Sequence, residues 1–367
     1  MEFILDVGTF SLDITIMEQR LQPKEHKMVI LAEGSFGILE SKAATVLVRY
    51  HTDNVVAVID RTKAGKDVSE VIGVGKGIPV VSSLAEAMEL RPTMLAIGIA
   101  PPGGELPQTW ISILQEAIRH GLHIMSGLHQ FLSDAPELAE LAKRHNTILW
   151  DVRKPPANLP IAKCKAADVT PTVVLTVGSD CRVGKMVAGI ELANVARNRG
   201  LDTEFCATGQ NGIMISGWGI SIDAVVSDFT AGAAEQIVLE GAAKARDLLI
   251  VEGQGALVHP GYSGVTLSLL HGSMPDAMIF CHQPSRKIVA RYTVPLPTLT
   301  ELINQYEMLA KPIKPAKVIG IALNCFDLDE DQAHEAIEAA ERETGLPATD
   351  VVRFGCSKLV DAIEKIC

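Results

Sequence analysis

The chain has 367 residues, of which 47% are hydrophobic and 21% are charged, and its formal net charge is −11. This composition is that of a globular protein long enough for two domains. The acidic balance argues against nucleic acid or an anionic membrane as the main partner, and no apolar run reaches the roughly 18 residues of a membrane-spanning helix. The seven cysteines contain no C-x-x-C pair, so we expect reduced thiols in a cytoplasmic protein, without disulfides or structural zinc.

Residues 1–152 alternate short apolar runs with helix-like stretches. The predicted strands are 28–33, 55–60, 79–81, 94–100, 123–125 and 147–152, and the predicted helices lie near 39–50, 83–90, 108–120 and 134–145. Because the strand runs lack polar alternation, we expect a parallel sheet that is buried on both faces. This predicts a Rossmann-like domain, in which residues 1–27 form a possible extra hairpin and residues 99–104 a rigid loop after a strand.

A proline-rich segment separates this region from the next one. Three prolines between residues 153 and 160 cannot continue a helix or a central strand, so residues 153–163 are predicted to be a linker. Residues 164–367 then repeat the alternating pattern, with predicted strands at 172–177, 203–207, 247–251, 277–281, 317–323 and 351–354. The expected fold class is α/β, with two doubly wound domains in series and mostly parallel sheets.

A glycine-rich loop separates the strand 172–177 from a predicted helix that opens at Gly184-Lys185. In such loops, backbone N–H groups, the helix dipole and the lysine ammonium together bind phosphoryl groups. We therefore predict that this segment is a P-loop and that the second domain has a P-loop NTPase-like fold. The residues expected to bind the anion are Gly178, Ser179, Asp180, Cys181, Arg182, Val183, Gly184 and Lys185. Backbone dipoles would also lower the pKa of Cys181, although a small residue tolerated in a tight turn is the simpler interpretation.

The residue after this lysine is Met186, where P-loops that use Mg²⁺ carry a Ser or Thr hydroxyl. A thioether is a poor magnesium ligand, so ATP/Mg chemistry is weakened but not excluded, because Glu252 could still hold a metal. The loop is better suited to a diphosphate or phosphomonoester that is bound without being cleaved. Coenzyme A carries both groups.

Two sets of acidic residues follow the loop. Glu252 ends the apolar run 248–251, and because ligands collect at the carboxyl ends of parallel strands, it is expected to project into the same crevice as Lys185. Asp223 and Asp228 lie in a stretch rich in Gly and small polar residues, which is typical of a loop close to a ligand. The candidate roles of these aspartates are to bind a metal, to accept a proton or to face an amino group. The alternative for each is a helix N-cap or a loop turn, and Asp228 is the better capping candidate.

Histidines and an arginine follow in the last third of the chain. His259 and His282 are candidate general bases, since imidazole titrates near neutral pH. No pair of these histidines has the i, i+4 spacing of a zinc site, so we expect no metal cluster. Arg286 comes after the strand 277–281 and suits a substrate carboxylate, which a guanidinium binds with two hydrogen bonds.

Taken in order, these motifs resemble the D-glutamate N-acetyltransferase-like family, which joins a Rossmann-like N-terminal domain to a dethiobiotin-synthetase-like P-loop domain. The matching stretches are residues 98–104, 178–185, 207–212, 223–235, 252–272 and 282–286. They cover nearly the whole chain, whereas residues 1–27 depart from the pattern.

The resemblance implies an N-acetyltransferase that moves acetyl from acetyl-CoA to the amino group of an acidic amino acid, with D-glutamate as the expected acceptor. The implied catalytic residues are Lys185, Asp228, Glu252 and His259, and the implied substrate-binding residues are Gln210, Asn211, Asp223, His282 and Arg286. The base is Asp228, Glu252 or His259, and CoA lies either in the P-loop or in the first domain. Alternatives are an ATP-dependent carboxylate-amine ligase or kinase, or a non-catalytic nucleotide sensor. A homo-oligomer is expected.

Overall fold

A computed structural model describes residues 21–38, 40–99 and 106–367. The chain divides into two compact units, Met1–Asp151 and Val152–Cys367. Most of the predicted hairpin 1–27 and nearly all of the predicted loop 99–104 lie outside the described residues. No helix within the described ranges is long and apolar enough to cross a bilayer.

The first unit is built on a six-stranded parallel sheet. Its strands are β1 (Met28–Leu31), β2 (Val55–Ile59), β3 (Val80–Val81), β4 (Met94–Ile97), β5 (His123–Ser126) and β6 (Leu149–Asp151). Its helices are α1 (Lys42–Tyr50), α2 (Val68–Ile72), α3 (Leu84–Met88), α4 (Gln108–Arg119) and α5 (Pro136–Arg144). The strand order β3-β2-β1-β4-β5-β6 changes direction between β1 and β4, which is the doubly wound arrangement. Every residue of β1 and β4 is buried, so the prediction of a covered parallel sheet is confirmed.

The second unit repeats this architecture. Its strands are β7 (Thr172–Gly178), β8 (Thr203–Cys206), β9 (Leu248–Val251), β10 (Ala277–His282), β11 (Lys317–Leu323) and β12 (Ala348–Asp350). Its helices are α6 (Lys185–Asn198), α7 (Gln210–Ser216), α8 (Thr230–Ala242), α9 (Ser263–Ser273), α10 (Leu299–Ala310), α11 (Glu330–Thr344) and α12 (Ser357–Glu364). The parallel order is β12-β11-β10-β7-β9-β8, so β7 lies between β10 and β9. The carboxyl ends of these three strands therefore lie side by side.

The predicted strand 351–354 is wrong. The strand is β12, which ends at Asp350, and residues 351–354 form a turn. The Asp350 carboxylate accepts hydrogen bonds from the N–H groups of Val352 (2.9 Å) and Arg353 (3.0 Å), so the side chain turns the backbone away from the sheet.

Candidate functional site

The predicted phosphate loop connects β7 to α6. Gly178 ends the strand, and Gly184 is the N-cap of the helix with a φ of 100°, a conformation that glycine adopts without strain. Lys185 is only 7% exposed, and its Nζ donates a hydrogen bond to the Asp180 carbonyl oxygen at 2.7 Å. The loop therefore holds an ammonium group beside the positive end of the α6 dipole, which favours an anion.

Two backbone amides of the loop are already used within the protein. The Ser179 N–H donates to the Cys281 carbonyl at 3.0 Å, and the Cys181 N–H donates to the Asp180 side chain at 2.7 Å. An anion would therefore be bound by the remaining amides and by the lysine, which is a smaller donor set than the sequence predicts.

Arg286 also contacts the loop. Its Nη1 donates to Asp180 Oδ2 at 3.0 Å and to the Cys181 carbonyl at 2.6 Å, and its Nη2 donates to Gln283 at 2.7 Å. Asp180 is fully buried and accepts a further bond from the Ala290 N–H at 2.7 Å. The structure thus brings Arg286 to the site, as expected, but its guanidinium binds the loop itself.

Glu252 follows β9 at the same edge of the sheet. Its carboxylate is 6% exposed and accepts hydrogen bonds from the N–H groups of Thr208 (3.0 Å) and Gly209 (3.1 Å). Because α7 begins at the next residue, the glutamate positions the first turn of that helix. The neighbouring Gly253 packs against the Lys185 side chain, so Glu252 and Lys185 share one region, as the parallel sheet predicts.

Gln210 and Asn211 form the first turn of α7, beside this glutamate. The Asn211 Oδ1 atom is buried, and it has no hydrogen-bond partner among the described residues. An unpartnered buried acceptor costs about 1–3 kcal/mol, so a donor from a ligand would be stabilised here.

His259 lies close to the loop in an aromatic cluster. It is 4% exposed, and its ring centroid is 4.7 Å from that of Tyr262 and 5.2 Å from that of Tyr292. Its Nδ1 accepts the Gly261 N–H at 3.2 Å, which places the proton of the neutral ring on Nε2. The histidine is therefore oriented by its own loop.

Ligand atoms of Asp180, Cys181 and His259 lie within 4.8 Å of one another, which the histidine spacing did not reveal. The Asp180 carboxylate in this group is already bound by an arginine and two amides. Burial raises the pKa of the Cys181 thiol, with Lys185 opposing the shift. The suggestion that this pKa is lowered is therefore wrong, because desolvation is the largest influence on the thiol.

His282 ends β10, and its Nδ1 lies 2.9 Å from the Ser179 hydroxyl. Burial, together with the nearby charges of Lys287 and Arg286, lowers the pKa of His282 to about 4. The imidazole is therefore neutral at physiological pH and contacts the first turn of the phosphate loop.

The two aspartates lie in different environments. Asp223 accepts hydrogen bonds from Arg153 at 2.7 Å and from Ser221 at 2.8 Å. Asp228 is exposed in a 3₁₀ turn that ends at Phe229, and Phe229, not Asp228, is the N-cap residue of α8. The capping alternative for Asp228 is therefore wrong, whereas a chemical role stays a prediction.

An apolar cavity of about 410 Å³ lies between α9 and α10, apart from the predicted site residues. It is lined by Leu257, Ser263, Gly264, Leu267, Gln305, Met308 and Leu309. The fully buried Tyr306 connects this region to the phosphate loop, because its hydroxyl donates to the Gly178 carbonyl at 2.8 Å and accepts the Leu257 N–H at 3.4 Å. No sequence pattern pointed to this tyrosine.

Comparison with known proteins identifies the family. The P-loop domain of the domain-of-unknown-function family DUF1611 matches residues 160–360, and its N-terminal Rossmann-like domain matches residues 61–155. A crystal structure of a DUF1611 family protein from Anabaena variabilis has 41% sequence identity and a TM-score of 0.87, and the match covers 93% of this chain and 99% of that one.

Two relatives with a named activity also match. A D-glutamate N-acetyltransferase of Tritonibacter scottomollicae is 39% identical over 77% of this chain and 85% of its own length. An enzyme of the same name from a Pseudoalteromonas species is 38% identical over 76% of this chain and 83% of its own length. The chain belongs to the DUF1611 family, with its Rossmann-like and P-loop domains.

Proposed function

We propose that this DUF1611 protein is an N-acetyltransferase that moves the acetyl group of acetyl-CoA to the amino group of D-glutamate. The names of the two relatives, at 39% and 38% identity, support acetyl transfer. At the level of residues, the observation that carries the proposal is the loop itself. It combines the buried Lys185 with Met186, so it offers positive charge for phosphates without a hydroxyl for Mg²⁺.

Acetyl transfer fits a loop that binds phosphates without cleaving them. The amino nitrogen attacks the thioester carbonyl, a C–N bond forms, the C–S bond breaks, and CoA leaves as the thiol. A base must take one proton from the amine. Among the candidates we favour Glu252, because the adjacent Gly253 lies against the Lys185 side chain at the carboxyl edge of the sheet. The Glu252 carboxylate lies by Gly209 and Gly212, on either side of Asn211, whose buried Oδ1 has no hydrogen-bond partner among the described residues. That acceptor would bind the substrate amine.

The purified protein should be incubated with acetyl-CoA and a panel of D- and L-amino acids, and the products measured by mass spectrometry. We expect N-acetyl-D-glutamate together with one equivalent of free CoA. Release of ADP from ATP and Mg²⁺ with an amino acid would instead identify a ligase or kinase. Tight nucleotide binding without any product would identify a sensor.

The role of the loop is tested by Lys185→Ala. Loss of a charge-assisted contact to phosphate should weaken acetyl-CoA binding by roughly 10- to 100-fold, measured by isothermal titration calorimetry. Lys365→Ala, at an exposed position near the C-terminus, is the matched control and should bind normally. Equal affinity in both variants would move the CoA site away from this loop.

A further inference from the structure

Asp180 places a negative charge inside a loop that is otherwise built to bind anions. The side chain is fully buried, so solvent does not screen it, and it would repel a phosphoryl group nearby. The structure supplies a countercharge from another part of the chain, because Arg286 contacts the same carboxylate at 3.0 Å. With that pair neutral, Lys185 and Arg182 leave the loop with a net positive charge.

The same arginine also fixes the backbone of the loop. Its bond to the Cys181 carbonyl (2.6 Å) holds the residue that precedes Arg182, whose φ is 59° in the left-handed region. A non-glycine residue rarely adopts this conformation without support from its surroundings. Arg286 therefore contributes both charge and geometry to the loop.

The arginine is in turn held from behind. Gln283 is buried, accepts a bond from Arg286, and donates to Ser285 and Asp327, both at 3.1 Å. The guanidinium of Arg286 thus donates hydrogen bonds to Asp180, the Cys181 carbonyl and Gln283. With these three partners, Arg286 is poorly placed to bind the carboxylate of a substrate, which is the role that the sequence suggested.

A short hairpin is attached at the same point. Ala290 donates its N–H to Asp180 at 2.7 Å, and the segment around it forms an antiparallel bridge between Ile288 and Pro295. Tyr292 of this hairpin packs edge-on against His259 at 5.2 Å. Asp180 is therefore the junction between the phosphate loop, Arg286 and the hairpin.

We propose that Arg286 is a positioning residue, which with Asp180 keeps the loop 178–185 in the conformation and charge state that bind phosphoryl groups, and does not bind the substrate carboxylate. The proposal rests on the proposed function for the identity of the phosphorylated ligand as CoA and of the carboxylate substrate as D-glutamate.

The test uses the full-length variants Arg286→Gln and Arg286→Lys, together with the double variant Asp180→Asn/Arg286→Gln. Affinities for CoA and for inorganic pyrophosphate are measured by calorimetry, and KM is measured for both substrates of acetyl transfer. Arg342→Gln, which removes an exposed arginine of α11, is the matched control.

We expect Arg286→Gln to weaken both phosphate ligands by roughly 10- to 100-fold, while KM for D-glutamate changes by less than about twofold. Arg286→Lys keeps the charge and should recover part of the affinity. The double variant removes the uncompensated carboxylate, so it should bind better than Arg286→Gln alone and also remains informative if that variant folds poorly.

A raised KM for D-glutamate with unchanged CoA affinity would overturn the proposal, because Arg286 would then bind the substrate. Equal affinity of all variants for both phosphate ligands, or no binding of either by the wild-type protein, would also overturn it. If wild type binds pyrophosphate but not CoA, the proposed function fails, and the pyrophosphate affinities alone decide the role of Arg286.

Discussion

The variant Glu252→Ala should unfold at a much lower denaturant concentration than the wild-type protein. The carboxylate accepts the N–H groups of Thr208 and Gly209 in a buried crevice, and alanine leaves both donors without this acceptor. Each buried unsatisfied amide costs about 1–3 kcal/mol, with the higher part of the range for the fully buried Thr208. The sum predicts a loss of about 3 kcal/mol in the free energy of unfolding.

Glu252→Gln separates this structural role from a chemical one. The amide keeps a carbonyl oxygen that can accept one or both N–H groups, so its stability loss should be near 1 kcal/mol. If the carboxylate is also the base for acetyl transfer, kcat should fall by roughly 100-fold or more in this well-folded variant. Glu338→Ala, at an exposed position of α11, serves as the control for loss of a surface carboxylate.

Urea unfolding at pH 7, followed by circular dichroism, measures the stability of each variant. Wild-type stability of Glu252→Ala would refute the assignment of this carboxylate to the start of α7. A folded and fully active Glu252→Gln would leave that assignment in place and remove Glu252 from the list of bases.

Two further predictions concern residues at the same sheet edge. The pKa of His282 is about 4 in the folded protein against an ordinary value of 6.5, so the unfolded state binds more protons between these two pH values. The free energy of unfolding should therefore fall by about 3 kcal/mol as pH drops from 6.5 to 4. The variant His282→Asn should show a smaller fall. A Cβ at Gly253 would lie 1.6 Å from the Thr176 carbonyl, so Gly253→Ala should destabilise by more than about 4 kcal/mol. Gly264→Ala in α9, where a Cβ meets no described atom within 4 Å, should be neutral or stabilising. Unfolding curves test both predictions. The first is contradicted if the stability of wild type and of His282→Asn falls equally as pH drops, and the second if Gly253→Ala and Gly264→Ala are equally stable.

The sheets were predictable because strands of a buried parallel sheet have uninterrupted apolar sequences. β4, for example, reads Met-Leu-Ala-Ile and is completely buried. The error at 351–354 has a local cause, since an equally apolar Val-Val pair follows Asp350, whose side chain turns the backbone. The five-residue α2 was missed, although its capping box of Asp67 and Glu70 is a readable signal in the sequence.

The candidate site was predictable in place but not in its contacts. The loop, Lys185 and Glu252 were expected together because motif and strand ends are local features of the sequence. The partners of these groups depend on which strands are neighbours, and strand order is not written in any single segment. The pairing of Glu252 with the residues after β8 and the burial that raises the pKa of Cys181 follow from that order.

Asp180 shows why the order of strands matters for function. A buried carboxylate within a phosphate loop repels the anion that the loop would bind unless a cation neutralises it. Within the loop, the Asp180 carboxylate accepts the Cys181 N–H, whereas the hydrogen bond from Lys185 goes to the Asp180 backbone carbonyl and not to its carboxylate. The countercharge comes from the segment after an adjacent strand, because the carboxyl ends of neighbouring parallel strands lie at the same edge of the sheet. β10 is paired directly with β7, and Arg286 lies four residues beyond its end. An acidic residue in such a loop therefore predicts an arginine or lysine after a flanking strand, and that basic residue should not be assigned to substrate before this pairing has been considered.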